Sequence, residues 1–224
     1  MLDLKFGGSI GKKFNEDGSV RHFPGNTMVC ILDHSTEVFR RAKDERDLLD
    51  KICGRTISIL PDESLHMTAI EGVCDQVRDK EHWTSKMPLD APLVEVDDFF
   101  EETWNKLPKL GEVKMTFDHL WLEFGAAIAL RPSTDADDKK IRAWRDTVGD
   151  AMGLHFPGHE TYQFHISLAY GMWMPTEEEQ MRFEKEKERF DAECVNDPFS
   201  FTVPQPSMTF FNDMFLFNPF RIER

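Results

Sequence analysis

Two stretches of the chain, His66-Met67-Thr68-Ala69-Ile70-Glu71-Gly72-Val73 and His165-Ile166-Ser167-Leu168-Ala169-Tyr170-Gly171-Met172, follow one template. Each carries a histidine, a hydroxyl two residues later and a glycine at the seventh place. On a β-strand, side chains two apart share a face, so His66 would stand beside Thr68 and His165 beside Ser167, with Met67 and Ala69, or Ile166 and Leu168, turned the other way. An imidazole titrates near neutrality and can take or give a proton. A neighbouring hydroxyl can donate a hydrogen bond to an oxygen on which negative charge grows. Two such pairs brought together suit in-line displacement at phosphorus: a neutral histidine accepts a proton from the attacking water while a protonated one supplies a proton to the leaving oxygen. His66, His165, Thr68 and Ser167 are therefore the catalytic candidates, and this chemistry calls for neither a metal nor another cofactor.

The short pattern His-x-Ser/Thr alone decides little, because His34-Ser35-Thr36 and His82-Trp83-Thr84 also fit it. Context separates them. Ser35 or Thr36 precedes a helical pattern that it can cap, and His82 lies in a polar stretch with no alternation. The elements that must position the other two histidines form a repeat. Residues 27–32 read as a buried strand, and Val38, Ala42, Leu49 and Ile52 mark a helix face that ends at Gly54. The first histidine strand follows. In the second half, residues 120–124 and 126–130 read as strands around a glycine break. Ile141, Trp144, Val148 and Met152 then mark a helix ending at Gly153, ahead of the second histidine strand. Asp33 to His66 and Arg131 to His165 are 33 and 34 residues apart, so a strand-helix-strand unit is used twice. Further helices are expected over residues 97–107 and 176–194, the second opened by the capping box Thr176-Glu177-Glu178-Glu179. Further strands are expected over 113–117, 199–203 and 208–217, with a loop over 79–92. The expected fold class is α+β: a bilobal, pseudo-twofold arrangement with two antiparallel sheets flanking a central groove and helices outside. Residues 1–224 form one two-lobed domain, with an arm over 1–25 and lobes built around strands 64–72 and 162–171.

Composition bounds the partners. The 41 acidic and 27 basic side chains give a formal charge of −14, which opposes a long nucleic-acid track and leaves a small nucleotide or short RNA end as the expected partner. Four cysteines without a Cys-x-x-Cys pair fit reduced thiols, and no apolar run approaches the length of a membrane span. A soluble, cytoplasmic monomer is expected, with the nucleus as the alternative compartment.

On the residues His66-Met67-Thr68 and His165-Ile166-Ser167, 99 positions apart within a duplicated strand-helix context, the chain resembles the two-histidine phosphoesterase superfamily, of the RNA ligase-like and cyclic nucleotide phosphodiesterase type. The segments Leu60 to His66 and Tyr162 to His165 are similar to those of a little-characterised branch. The resemblance implies two antiparallel sheets around a groove and metal-independent opening of a 2′,3′-cyclic phosphate or a related short phosphodiester. A non-catalytic nucleotide or RNA-end binding module on the same fold is the alternative. Tyr162, Tyr170 and Arg78 are the substrate-binding candidates. Tyr162 and Tyr170 have odd offsets from His165, so Tyr170 would reach the groove only if a bulge changed its face. Arg78 could bring positive charge to a phosphate. His155 and His159 flank Pro157-Gly158 and read as loop residues, with no metal site among the expectations. The phenylalanine-rich end, residues 210–220, reads as core. Lys12, Lys13 and Arg21 form a basic opening that could close over the groove.

Overall fold

An unbroken apolar run must be covered on both faces. Residues 27–32 meet that condition in β1 (Gly25–Ile31) of the computed structural model, which describes residues 8–122 and 125–221. Met28 and Cys30 enter the main core, while Val29 on the opposite face joins a second cluster with Phe14, Phe23, Phe211 and Phe217. Helix α1 (Glu37–Cys53) is opened by Thr36, whose hydroxyl accepts from the Phe39 amide at 3.4 Å, and is closed at Gly54. Short β2 (Ile57–Ile59), which the sequence pattern does not announce, leads into the first histidine strand, β3 (His66–Cys74). The 79–92 loop then precedes α2 (Leu93–Trp104).

This helix begins four residues before the expected Asp97 because Pro92 starts it and Leu93, Val96 and Phe100 supply its buried stripe. The buried Asp97 side chain accepts a 2.8 Å hydrogen bond from Asn26 Nδ2. The strands expected over 113–117 and from 120 are one element, β4 (Lys114–Trp121), because a bulge at Asp118 carries the ladder through: Phe117 faces Leu130 and His119 faces Ala129. Phe124 and Glu123 lie outside the described residues.

Next come β5 (Gly125–Pro132), α3 (Asp135–Met152) with Thr134 at its start and left-handed Gly153 at its end, and β6 (His165–Gly171), the second histidine strand. Helix α4 (Glu177–Asn196) opens with the complete capping box, and β7 (Ser200–Thr202) and β8 (Ser207–Phe211) finish the sheet. The last strand ends at Phe211 rather than at 217. The chain beyond it leaves the ladder to cover the groove, held by the Ser64 hydroxyl donating to Met214 O at 2.9 Å.

The architecture is α+β, with four helices and one curled antiparallel sheet in the order β7-β4-β5-β6-β3-β1-β8, in which β2 also pairs with β6. The two expected sheets are the two halves of this single one, joined between β3 and β6 through Met67 opposite Ile166. Helices tie the halves together. The α1 helix, although it connects strands of the first half, packs on β5, β6 and α4, whereas α3 packs on β3 as well as β5.

Both histidine strands carry the same irregularity. Opposite β1, Thr68 faces Val29 and Ile70 faces Met28, so Ala69 is extra; opposite β5, Ser167 faces Ala127 and Ala169 faces Ala126, so Leu168 is extra. Each bulge lies three residues after its histidine. A second shift in β3 arises where Asn26 Oδ1 accepts from the Val73 amide at 3.0 Å and the backbones close up over Gly72. A Cβ at Gly72 would stand 2.2 Å from Asn26 O and 2.3 Å from Asn26 Oδ1. The Asn26 side chain is held at Oδ1 by the Val73 amide and at Nδ2 by Asp97. Gly72→Ala is therefore expected to lower stability by about 3 kcal/mol, read as a reduced urea midpoint with an unchanged slope.

Candidate active groove

The inner side of the curled sheet forms a groove of about 380 Å³ whose lining includes His66, Thr68, His165, Ser167, Tyr162 and Tyr170. Six of the seven sequence-predicted site residues thus meet there, although the two histidines are 99 positions apart. A second cleft of about 430 Å³, between α1 and α4, contains none of them and is walled by mutually paired charges such as Arg189, Glu193 and Glu45.

The two imidazoles are held in the same way. His66 Nδ1 lies 2.7 Å from Ser64 O and His165 Nδ1 lies 2.9 Å from Gln163 O, in each case the carbonyl two residues earlier. A carbonyl oxygen can only accept, so each Nδ1 carries the hydrogen and each Nε2 is left without a partner among the described residues. Aromatic rings fix the planes: Phe217 packs 4.3 Å from His66, and Trp121 meets His165 edge-on at 5.7 Å. Burial, reinforced by the neighbouring His165, pushes the His66 pKa down to about 4 against the weaker opposing pull of the Ser64 carbonyl. Burial also lowers the pKa of His165. Both rings rest neutral at pH 7, with a lone pair on Nε2.

The bulges decide what else faces the groove. One extra residue inverts the alternation, so the fifth residue after each histidine, Glu71 in β3 and Tyr170 in β6, rejoins the histidine's face. Simple alternation would turn both away. The Tyr170 ring packs 5.1 Å from Phe14, its hydroxyl donates to Met214 Sδ at 3.4 Å, and the Lys13 ammonium lies 4.7 Å above it. The arm thus does close over the groove, and Lys13 is the single Lys or Arg among the described lining residues.

Tyr162 stands behind the histidines with its ring 6.1 Å from His165 and 4.3 Å from the Arg145 guanidinium. Burial and the charge of Glu71 push its phenol above the ordinary value, against Arg145 and a hydrogen-bonding approach by Thr68. Arg145, 1% exposed, is the charge the sequence pattern conceals, since it occurs within an ordinary amphipathic helix. Its Nη1 donates to the carbonyl of Ala69, the extra residue of the β3 bulge, and its Nη2 donates to His159 O at 3.4 Å. Its Nε is buried without a hydrogen-bond partner. The Leu168 carbonyl of the other bulge accepts from the Leu60 amide at 3.0 Å.

Arg78 does not reach the groove. Its guanidinium donates to Leu89 O and Ala91 O at 2.7 and 2.8 Å, pairs with Asp75 and lies 4.4 Å from the centre of Trp83, so it closes the 79–92 loop instead. His155 and His159 each pair with one aspartate, Asp150 and Asp146, at the end of α3. Of the phenylalanine-rich end, Phe210, Phe211 and Phe217 are core as expected and Phe215 packs half-buried against it, whereas Phe220 is exposed; Phe217 and Phe211 also line the groove. No group of three His, Cys, Asp or Glu among the described residues could hold a metal ion, and no described helix is long and apolar enough to cross a membrane.

Residues 13–123 match the family model described as "2H-phosphodiest: Domain of unknown function (DUF1868)". The fold is similar to the crystal structure of a conserved protein of unknown function from Agrobacterium tumefaciens strain C58. The two share 27% identity over 94% of this chain and 90% of that one, with a TM-score of 0.82. No curated protein matches the chain.

Removing the Arg145 charge frees the Ala69 carbonyl and the Tyr162 ring together, and leaves Glu71 without its nearest buried cation. Arg145→Met is expected to cost about 3 kcal/mol in a denaturant titration. Glu71→Gln combined with it should add less than the separate effects predict, because the two charges compensate each other. Additivity within about 0.3 kcal/mol would exclude the coupling.

Proposed function

For this chain, a member of a little-characterised branch of the two-histidine phosphoesterases, we propose hydrolysis of a 2′,3′-cyclic phosphate or a related short RNA or nucleotide phosphodiester by acid-base catalysis from His66 and His165. The observation that carries this reading is the matched pair of half-sites: two imidazoles with identically anchored Nδ1 atoms and open Nε2 atoms, each beside a hydroxyl, in one groove. The groove's volume suits a mononucleotide.

His66 is the base. It is the more deeply enclosed ring, packed against Phe217, and its low pKa keeps it unprotonated. Its Nε2 accepts a proton from water as the new P–O bond forms. On the far side of the phosphorus the P–O bond to the ribose breaks, and His165 Nε2–H supplies the proton to that departing oxygen. Thr68 and Ser167 donate to the two nonbridging oxygens as charge builds there. The product is a nucleoside monophosphate with one free ribose hydroxyl, and proton exchange with solvent restores both rings. The acid, the base and the hydrogen-bond donors all come from side chains of the chain. Lys13 is the cation that attracts the phosphate.

With a panel of 2′,3′-cyclic nucleotides, His66→Ala and His165→Ala should each lower kcat by about 10²–10⁴, and the double variant should fall little further. A chelator should leave the wild-type rate unchanged. Binding of a nucleoside monophosphate that survives in a chain with no turnover on any member of the panel would favour the binding-module alternative.

The pH dependence has a definite sign. A base works when deprotonated, so kcat/KM should rise with pH through about 4, the value for His66. An acid works when protonated, so kcat/KM should fall as pH climbs through the His165 pKa, which burial sets below the ordinary histidine value of about 6.5. A mildly acidic optimum is expected. A plateau extending above pH 8 would remove His165 from the role of acid.

A further inference from the structure

The two half-sites agree at the histidine and the hydroxyl but differ at the fifth residue after the histidine, where β3 presents Glu71 and β6 presents Tyr170. A carboxylate lining a groove that must accept a phosphate requires explanation, since it repels the substrate's own charge. Glu71 makes no hydrogen bond and no ion pair among the described residues; Arg145 and His82 act on it only through their charge. Its pairing capacity is therefore open: burial raises its pKa against the opposing pull of Arg145 and His82, and in its ionised form the carboxylate can only accept. The lining near it is aromatic. Tyr162 and His82 are its charge-coupled neighbours, and the Phe156 ring lies 6.0 Å from that of His82. A double acceptor beside aromatic rings fits a flat heterocycle that presents adjacent N–H groups. The hollow lined by Trp121, Ala126, Ala127 and Ala169 beside His165 has no carboxylate among its described lining residues to offer such an edge.

We propose that Glu71 reads the nucleobase, accepting from the N1–H and the exocyclic amine of a guanine held among Tyr162, His82 and Phe156, and so fixes which way round the nucleotide lies between the two histidines. The inference rests on the nucleotide phosphodiesterase reading above and names its substrate class. The antiparallel β3 and β6 leave their shared pair, Met67 and Ile166, in opposite directions, so the two fifth residues fall on either side of the histidines. A base anchored at Glu71 turns the other side of the substrate towards Tyr170 and Lys13, where the groove's cation stands. Pseudo-symmetry alone would allow both orientations, and the carboxylate removes one.

Equilibrium binding of 2′-monophosphates of guanosine, inosine and uridine, followed by calorimetry, tests this without relying on turnover. The wild-type chain should bind the guanosine nucleotide at least tenfold tighter than uridine's, with inosine, which lacks the exocyclic amine, between them. Glu71→Gln should reduce the guanosine-to-uridine ratio to within about twofold while uridine binding changes little. Equal affinity for the three ligands in the wild-type chain, or a ratio that survives in Glu71→Gln, would overturn the proposal. If the variant does not fold, the three-ligand comparison on the wild-type chain still decides. Guanine discrimination in a protein that hydrolyses no cyclic nucleotide would count against the phosphodiesterase reading and leave the base-reading role standing. Hydrolysis of all four cyclic nucleotides without guanine discrimination would do the reverse.

Discussion

Two single-residue bulges, at Ala69 and Leu168, determine what this groove can contain. A strand's side chains alternate strictly, so without an extra residue each histidine strand would expose only His and Thr or Ser before turning its fifth residue towards the core. For β3 that would drive the Glu71 carboxylate into an apolar interior, at a cost of several kcal/mol. The bulges avoid this, and the carbonyl of each extra residue pairs away from the bulged ladder. Leu60 brings its amide to Leu168, and Arg145 brings a guanidinium from α3 to Ala69. The two solutions are chemically unequal. A backbone amide adds no charge, whereas Arg145 introduces a buried cation, and Glu71 and the face of Tyr162 are the groups that offset it.

The same arrangement explains how a chain with a charge of −14 can hold a groove suited to an anion. Lys13 is the cation of the described lining, and both imidazoles rest neutral because burial disfavours their charged forms. In the proposed reaction, an entering phosphate reverses that preference by placing negative charge beside both Nε2 atoms. Substrate binding and the arming of the acid are then one linked equilibrium, and free histidine cations do not have to be maintained in an empty, partly apolar groove. Burial pushes the pKa of the deeper ring, enclosed by Phe217, down to about 4, and in the proposed reaction this makes His66 the base despite the matching anchors.

Much of this was legible in the sequence, for reasons specific to each element. The helix termini at Thr36, Gly153 and Thr176 could be read because capping is local chemistry. The convergence of His66 and His165 could be read because a repeat of strand, helix and strand with nearly equal spacing carries long-range information. Tyr170 could not be placed by alternation, since a bulge is set by the partner strand and by donors such as the Leu60 amide, neither of which is encoded next to it. Arg78 was attractive by proximity, yet a loop whose carbonyls at Leu89 and Ala91 need donors captures it. Glu71 is visible only by aligning the two templates position by position, where it is the mismatch with Tyr170. Arg145 gave no signal, because a buried arginine on an amphipathic helix resembles an exposed one until its partners are known.

The halves meet in the sheet at the Met67–Ile166 pair of β3 and β6 and along the three-residue ladder of β2 and β6, a seam too short to fix alone the width of the groove or the relative aim of the histidines. The helices supply that constraint by crossing over. The connection within the first half, α1, lies on β5 and β6 of the second, while α3 of the second half reaches β3 of the first. Separating the halves would therefore uncover both helices as well as the seam, so the groove can widen only at the expense of the main core. The segment after β8 and the arm before β1 act on the open side, where Met214, Phe217 and Phe14 lean on Ser64, His66 and Tyr170. For the proposed reaction, a floor tied into the main core and a cover assembled from the segments before β1 and after β8 suit a site that holds two proton carriers at a fixed separation while admitting its substrate. The floor carries the histidines and the hydroxyls, and the cover carries Lys13.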